Sequence, residues 1–343
     1  MKKARVRSRA KRPPHPLWLL LPALLLAFFI LMRSARADVP VASGGLALVS
    51  TSESLEQTRF GISSVSDRAD ITWPYTGERE SGFAFGLGYE RTTGNAVGAL
   101  RPTYFIERPS FLLSGKLSPT FTIDADLGWS FVKSEPPARC ESLATGSLKT
   151  VFAPSTEQIL RVDLERSTML QEMMLPTDVS NPLGFTTLRL ASAYSWSEVW
   201  RATETLTHRW LDDGNRRLDA DVAVMYAQSK FPLWVWYGFG AGYTGMSERS
   251  SRYWSPLKVF SAGPRFDVAI PFSAFWQWKI GGSLHWLQEE DYGGAFGDYL
   301  RTSVVYGLRD AVNFELSLVD SRSTREAATW WSRSIGAALN IPF

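Results

Sequence analysis

Cysteine, histidine and long apolar segments are scarce in this sequence, and each scarcity excludes a class of protein. Cys140 is the single cysteine among 343 residues, so no internal disulfide can form. His15 lies in the basic N-terminal segment, which leaves His208 and His285, far apart in sequence. After Met32 no apolar run approaches the length of about 18 residues that a spanning helix needs. The sequence therefore predicts neither a disulfide scaffold nor a helical membrane domain, and we expect no metal site and no cofactor.

The N-terminal segment has the order of an export signal. Seven basic residues and no acidic residue lie within residues 1–12, and the apolar run Leu17–Met32 follows. Ala35-Arg36-Ala37 then supplies a small-x-small cleavage site. The apolar run is short for a spanning helix, although a retained anchor is the alternative. We predict residues 1–37 as a cleaved signal peptide and residues 38–343 as the exported domain.

The net charge changes sign once the signal is set aside. Residues 1–37 hold nine of the 37 basic residues and none of the 34 acidic ones, so the formal charge falls from +3 to −6. The basic isoelectric point of the whole sequence therefore reflects the signal segment. No basic patch for nucleic acid is predicted.

Apolar and polar residues alternate along much of the exported chain. From Phe121 to Phe131 the odd positions are mostly large and apolar, and the even positions are Thr, Asp, Asp, Gly and Ser. Residues 83–89, 258–272 and 274–288 show the same period of two. A soluble sandwich also alternates, but here the apolar faces are long and tryptophans recur near strand ends, as the two membrane–water belts of a barrel require. An exported chain with this pattern and no spanning helix is typical of a membrane β-barrel.

We therefore predict an all-β fold, a transmembrane antiparallel β-barrel of about sixteen strands, in the outer membrane of a Gram-negative bacterium. The expected strand centres are Leu48, Ile71, Phe85, Leu112, Leu127, Leu148, Val162, Leu190, Thr205, Val222, Phe239, Phe266, Gly282, Val304, Leu316 and Gly336. Short periplasmic turns should alternate with longer outer loops. The longest loop is expected at Ser167–Gly184, with others at Glu290–Gly297 and Ser321–Arg325. An amphipathic helix over Glu157–Met174 is the alternative to a strand in that segment.

The last ten residues predict the closing strand of the barrel. Apolar side chains occupy every second position from Ile335 to the terminal Phe343. The pattern resembles the C-terminal aromatic signal that the barrel assembly machinery reads in outer-membrane proteins. The predicted assembly signal consists of Gly336, Leu339, Ile341 and Phe343.

Alternation also assigns charged side chains to the lumen of the predicted barrel. The predicted pore-lining polar track consists of Arg161, Asp163, Glu165, Arg189, Arg217, Asp219, Asp221, Arg265, Asp267, Lys279, Arg301 and Glu315. The two signs nearly cancel, which favours a neutral or mixed-charge cargo over a polyanion or polycation. The structural alternative is that these residues pair across strands and stiffen the wall.

One segment resembles a known family. Residues 238–256 read GFGAGYTGMSERSSRYWSP and are followed by LKVFSAGPRFDVAIP. This is similar to the G-Y-[FY]-S-P-Q strand of exopolysaccharide-export barrels, which form the C-terminal domains of the cellulose secretion porin and the poly-N-acetylglucosamine export porin. Tyr253, Trp254, Ser255 and Pro256 occupy the matching positions, whereas Leu257 stands where glutamine is usual.

Two weaker matches support the resemblance. Leu164-Glu165-Arg166 precedes a segment with Asn181-Pro182, as in the L-E-R-R-P…D-P stretch of the cellulose porin, and residues 68–73 read RADITW. The resemblance implies a polysaccharide cargo moving through a barrel in outer-membrane lipid. Family members carry a periplasmic array of tetratricopeptide repeats, but only Asp38–Gly45 precedes the first expected strand. We therefore expect a separate periplasmic export protein as a partner.

The inventory of catalytic residues is thin, so we expect no enzyme. Ser283 and His285 lie on one face of one expected strand, and ideal geometry places them about 7 Å apart, beyond hydrogen-bond reach. A general diffusion porin for small solutes is the first alternative to polysaccharide export. An outer-membrane enzyme or adhesin is the second.

Overall fold

The computed structural model describes residues 45–57, 60–75, 82–96, 104–134, 139–170, 183–230, 232–250, 253, 255–290, 293–307, 312–325 and 328–342. The predicted signal peptide, residues 1–37, and the terminal Phe343 lie outside these ranges. In the described part of the chain every regular element is a β-strand. None of the described residues belongs to a helix with the length and hydropathy needed to cross a bilayer.

Sixteen strands follow one another along the chain. They are β1 (Gly45–Gln57), β2 (Phe60–Tyr75), β3 (Gly82–Ala96), β4 (Tyr104–Ser118), β5 (Phe121–Ser134), β6 (Arg139–Phe152), β7 (Gln158–Thr168), β8 (Gly184–Ser195), β9 (Trp200–Leu211), β10 (Arg216–Ser229), β11 (Trp234–Met246), β12 (Val259–Pro271), β13 (Trp276–Glu289), β14 (Gly293–Tyr306), β15 (Asn313–Arg325) and β16 (Ala328–Pro342). Each predicted strand centre lies in its own strand. The alternative of a helix beginning at Glu157 is wrong, because β7 occupies that segment.

The sheet closes on itself. Each strand pairs antiparallel with its neighbours in sequence, and β1 pairs with β16. At this seam Gly45 lies opposite Pro342, and Leu48 lies opposite Leu339. Closure leaves no strand edge unpaired, which is what a sheet in hydrocarbon requires. The prediction of a sixteen-stranded antiparallel barrel is confirmed.

The two ends of the barrel differ in their connections. The end that contains Gly45 and Pro342, here called the turn end, has connections such as 119–120, 196–199 and 272–275. The opposite loop end carries the two longest connections, 169–183 and 247–258. Short turns are typical of the periplasmic side of bacterial barrels.

Two of the expected long outer loops are wrong. Residues 293–297 belong to β14, and residues 321–325 belong to β15, so the connections there shrink to 290–292 and 326–327. The serines of β15 caused the error, because serine is common in loops. In the structure Ser321 and Ser323 instead alternate with Arg322 along a regular strand paired on both sides.

Ion pairs that skip strands identify the lumen. Arg68 on β2 lies 2.7 Å from Asp126 on β5, and Arg201 on β9 lies 2.6 Å from Asp267 on β12. Side chains can span two intervening strands only on the concave side of a closed sheet. The face that carries these residues is therefore the inner one, and register pairing extends the assignment to every strand.

The opposite face is apolar and exposed. Leu127, Leu284 and Phe296 are 64%, 63% and 69% exposed, and large apolar side chains recur around the whole outer surface. Such a surface would aggregate in water but suits the hydrocarbon of a bilayer. A closed barrel with an apolar exterior and a polar interior belongs in the Gram-negative outer membrane.

Aromatic side chains form belts on the outer face. At the turn end the rings of Trp196 and Trp200 lie 6.1 Å apart, and Trp200 and Tyr226 are 5.0 Å apart. Toward the loop end Trp286 packs against Phe296 with ring centroids 5.0 Å apart. Amphipathic rings at both heights mark the two membrane–water interfaces.

Closure predicts heat-modifiable migration on a detergent gel. Because every strand is hydrogen-bonded on both sides, the folded barrel should resist dodecyl sulfate until it is boiled. Unheated and boiled samples of the outer-membrane fraction should therefore run at different positions. Identical migration, together with recovery from the soluble periplasm, would contradict the barrel.

Candidate functional site

The structure places the whole predicted polar track on the inner face. Asp163, Arg189, Thr207 and Asp219 lie opposite one another in a single register row that crosses β7 to β10. Arg265, Lys279, Arg301 and Glu315 occupy the same face on β12 to β15, as the pairing of these strands shows. Of the predicted assembly signal, Leu339 and Ile341 face outward, Gly336 faces inward, and Phe343 lies outside the described residues.

Five charged residues on β2 to β5 form one network, here called the Asp126 network. Arg108 donates two hydrogen bonds to the Asp126 carboxylate at 3.0 and 2.5 Å, and its Nε donates to Thr145 Oγ1 at 2.9 Å. Arg68 bridges Asp126 at 2.7 Å and Asp70 at 2.8 Å. Glu90 lies 3.6 Å from Arg108. Bidentate, charge-assisted bonds of this kind fix the side chains against the wall.

The centre of this network was not predicted. Arg108 follows Phe105, Ile106 and Glu107, and its neighbour Pro109 weakens the strand pattern there. Only the pairing of Arg108 with Glu90 across β3 and β4 reveals that it faces inward. Gly128 on β5 makes room for it, because a Cβ at that position would lie 2.8 Å from Arg108 Nε.

A second set of ion pairs, here called the guanidinium ladder, crosses β9 to β12. Asp219 accepts from Arg209 at 2.7 Å and from Arg217 at 2.9 Å. Arg265 on β12 reaches over β11 to Asp221 on β10, where its Nη1 donates at 2.8 Å. Gly240 on β11 permits this crossing, since a Cβ there would collide with the Arg265 guanidinium.

Pairing decides the role of five of the twelve residues of the predicted track. Arg217, Asp219, Asp221 and Arg265 lie in ion pairs of the ladder, and Asp267 pairs with Arg201. The wall-stiffening interpretation therefore holds for these five. The other members make no ion pair within 4.0 Å to any described residue, and they are Arg161, Asp163, Glu165, Arg189, Lys279, Arg301 and Glu315. Their contact with cargo stays a prediction.

The seam side of the lumen is lined by hydroxyl groups. Ser303, Ser317, Gly336 and Thr51 form one register row over β14, β15, β16 and β1. Further serines on the same face are Ser321, Ser323, Ser332 and Ser334. The serine and threonine side chains of this hydroxyl wall are small, neutral and rich in donors and acceptors, and Arg301 and Glu315 lie on the same face of β14 and β15. The sequence did not predict it, because serine carries little signal for a strand.

Trp236 is a lumen-facing tryptophan. Trp236 lies opposite Asp267 and Ala227 on the inner face near the turn end. The guanidinium carbon of Arg201 lies 4.3 Å from the ring centroid while its Nη2 pairs with Asp267. The membrane-belt interpretation of tryptophan therefore does not extend to Trp236.

Apolar side chains gather on the inner face at the loop end. Phe185, Leu211 and Met246 form a buried cluster with loop residues, which are Met169, Leu183 and Tyr253. A second buried cluster joins Leu170 to Tyr104, Ile106 and Val132 on β4 and β5. Met169 and Leu170 are consecutive, yet they contact walls on opposite sides of β7. The chain thus turns into the lumen directly after β7.

A hydrogen-bonded latch holds the connection 247–258 over this end. Asn215 Nδ2 donates to Tyr253 Oη at 2.9 Å and to the Glu248 carbonyl at 2.8 Å. Tyr253 Oη donates to Asp213 at 2.9 Å, and Ser247 Oγ donates to Asn215 Oδ1 at 2.7 Å. Burial raises the pKa of the Tyr253 phenol, so it stays protonated as a donor. Tyr253 is also the first residue of the Tyr253–Pro256 sequence match.

The expected separation of Ser283 and His285 is wrong. Ser283 Oγ lies 3.4 Å from His285 Nδ1, because the two side chains lean toward each other along β13. This distance exceeds the 2.6–3.2 Å that is usual between a nucleophile and its base. Both residues lie on the inner face.

Comparison with known proteins identifies the fold. No family model matches the chain, and no curated protein matches it in sequence. The bacterial polysaccharide outer membrane secretin superposes with a TM-score of 0.67 and 13% identity, covering 89% of this chain and 100% of that one. OmpTdeltaL8, a loop deletion mutant of an outer membrane protein of Vibrio cholerae, gives 0.46 with 8% identity, over 87% and 100%. The CymD monoaromatic hydrocarbon channel gives 0.45 with 10% identity, over 88% and 89%. At 13% identity the likeness to the secretin shows a shared barrel fold.

Proposed function

We propose that this barrel passes a polysaccharide chain through the outer membrane. The observation that carries the proposal is the hydroxyl wall, a neutral hydrogen-bonding surface along the seam side of a lumen whose charges nearly balance. The similarity of fold to a polysaccharide secretin and the sequence match around Tyr253 point the same way. The chain would then be an exopolysaccharide-export barrel.

Translocation through such a lumen is passive. Sugar hydroxyls exchange water for Ser and Thr hydroxyls, and many weak contacts of similar strength let the polymer slide rather than stop. The ion pairs of the Asp126 network and the guanidinium ladder satisfy their own charges, so they hold the wall in shape without trapping the cargo. We propose no catalytic role for any residue.

The driving force and the guide belong to other proteins. Synthesis at the inner membrane would push the chain, and a separate periplasmic export protein would deliver it to the turn end. The barrel assembly machinery inserts the barrel, and outer-membrane lipid surrounds its apolar face.

Deletion of this protein should abolish surface polysaccharide. In a deletion strain of the source bacterium we expect loss of cell-surface polymer and its retention in the periplasm, with full recovery on complementation. Surface polymer is measured per amount of inserted barrel. Uptake of small neutral and charged solutes is measured in the same strains and should not change.

A general diffusion porin is the second candidate, and one observation favours it. Met169 and Leu170, the first residues after β7, pack against inner-face side chains, and constriction loops of porins also begin by turning inward. The same deletion strain separates the two functions. Reduced uptake of small solutes with intact surface polymer would establish the porin and overturn polysaccharide export.

A further inference from the structure

One part of the lumen wall contains buried polar atoms without partners. Asp163 on β7 is 9% exposed, and its Oδ1 has no hydrogen-bond partner among the described residues. Thr187 on β8 is 5% exposed, and its Oγ1 has no partner among them either. Since the great majority of buried polar atoms are hydrogen-bonded, two neighbouring exceptions on one wall require an explanation.

The residues around these buried atoms are charged. Asp163 lies opposite Lys149 on β6 and Arg189 on β8, both exposed side chains. Neither brings a nitrogen within 4.0 Å of the Asp163 carboxylate. Glu165, opposite Thr187, makes no ion pair with any described residue either. Within the Asp126 network and the guanidinium ladder, carboxylates and guanidinium groups approach to 2.5–2.8 Å, whereas the Asp163 carboxylate lacks such a partner although Lys149 and Arg189 lie opposite it.

The unpartnered atoms of Asp163 and Thr187 lie toward the loop end of the barrel. Phe185 is the next inward residue after Thr187 toward the loop end, and it belongs to the buried apolar cluster with Met169 and Leu211. The unpartnered atoms therefore lie directly beneath the inward turn of the chain. A molecule that moves from the turn end to the loop end would meet them just before the connections 169–183 and 247–258.

We propose that Asp163, Thr187 and Arg189 form a saccharide-binding subsite that holds a pair of adjacent sugar hydroxyls. One hydroxyl donates to the Asp163 carboxylate and accepts from the Arg189 guanidinium, and its neighbour bonds with Thr187 Oγ1, once the buried oxygens of Asp163 and Thr187 turn toward the lumen. Asp163 and Glu165 disfavour an anion, while Lys149 and Arg189 disfavour a cation. A neutral group that is both donor and acceptor fits the set. The inference rests on the proposed function, because it names the point at which the exported chain is held.

Binding of oligosaccharides to the purified full-length barrel tests the subsite. Cellohexaose serves as the neutral probe, hexagalacturonate as the anionic probe and a glucosamine hexamer as the cationic probe, each titrated by saturation-transfer difference NMR. The neutral probe should bind most tightly. Asp163→Asn should weaken its binding about tenfold or more, because a charge-assisted hydrogen bond is lost. Thr187→Val should weaken it several-fold.

Glu53→Gln is the matched control. Glu53 is also a lumen-facing carboxylate without an ion pair to the described residues, but it is not part of the predicted polar track and lies on β1, away from the subsite. This variant should bind cellohexaose within about twofold of the wild type. Heat-modifiable migration shows that each variant is folded, and Thr187→Val carries the test if Asp163→Asn does not fold. The subsite is refuted if the wild type binds none of the probes, prefers a charged one, or binds equally well with Asn at position 163.

The outcomes separate the subsite from the proposed function. If deletion of the protein leaves surface polymer intact while cellohexaose binding still depends on Asp163, export is wrong and the subsite stands as part of a sugar channel. If surface polymer depends on the barrel but Asp163→Asn binds as the wild type does, the subsite alone is wrong.

Discussion

Replacing Leu339 and Ile341 together with Asp should remove the barrel from the outer membrane. Both side chains face outward on β16, where Leu339 lies opposite Leu48 of β1 and Phe314 of β15, and Ile341 lies opposite Leu46. Each carboxylate would stand against lipid at a cost of about 2 kcal/mol or less, since acidic groups cost less than Lys or Arg. The two also sit on the seam that closes the barrel and within the predicted assembly signal. We expect nearly complete loss of inserted protein and a degraded periplasmic pool, measured by immunoblot of fractionated cells.

Asn340→Asp is the control for this double variant. Asn340 lies between the two positions but faces the lumen, where it bonds to Asn313 at 2.9 Å. The same carboxylate placed there meets water and an amide that can donate to it, so insertion should remain near the wild-type amount. Normal insertion of the Leu339 and Ile341 double variant would show that the outer face of β16 does not contact lipid.

The strands could be predicted from the sequence because lipid imposes a strict rule. Every second residue must be apolar wherever a strand meets hydrocarbon, and residues 121–131 follow this rule almost without exception. The rule acts on the outer face alone. Where the inner face is serine-rich, as at Ser321 and Ser323, the polar residues resemble a loop and the strand length is underestimated.

The arrangement of the lumen could not be predicted, because it depends on contacts between strands that are not adjacent. Alternation places Arg265 inside, but nothing in its own strand indicates that Asp221, two strands away, is its partner. That partnership needs the bare backbone of Gly240 in between. Likewise, the unpartnered state of Asp163 becomes visible only when Lys149 and Arg189 are seen to remain apart from it.

Weakening the latch at the loop end should open the barrel to ions. In a double variant, Tyr253→Ala and Asn215→Ala, two hydrogen bonds that hold the connection 247–258 are lost, the one that Tyr253 donates to Asp213 and the one that Asn215 donates to the Glu248 carbonyl. It also loses a ring that is 3% exposed within the apolar cluster of Phe185, Leu211 and Met246. Truncation of a buried aromatic residue costs about 3–5 kcal/mol, which is enough to release a surface connection while the sheet below stays closed. Single-channel conductance in planar bilayers should rise several-fold, and cells should become more sensitive to large antibiotics.

Tyr253→Phe separates the two parts of the latch. The ring remains in the apolar cluster, but the bonds that Tyr253 Oη makes with Asn215 and Asp213 are lost. Each such bond contributes about 1 kcal/mol, so the channel of this variant should open only briefly and seldom. Its mean conductance should lie between that of the wild type and that of the double variant. Because the latch lies above the strands, all three proteins should show the same heat-modifiable migration. Wild-type conductance in the double variant would show that the connection 247–258 does not control the mouth, whereas a conductance already high in the wild type would support the diffusion porin.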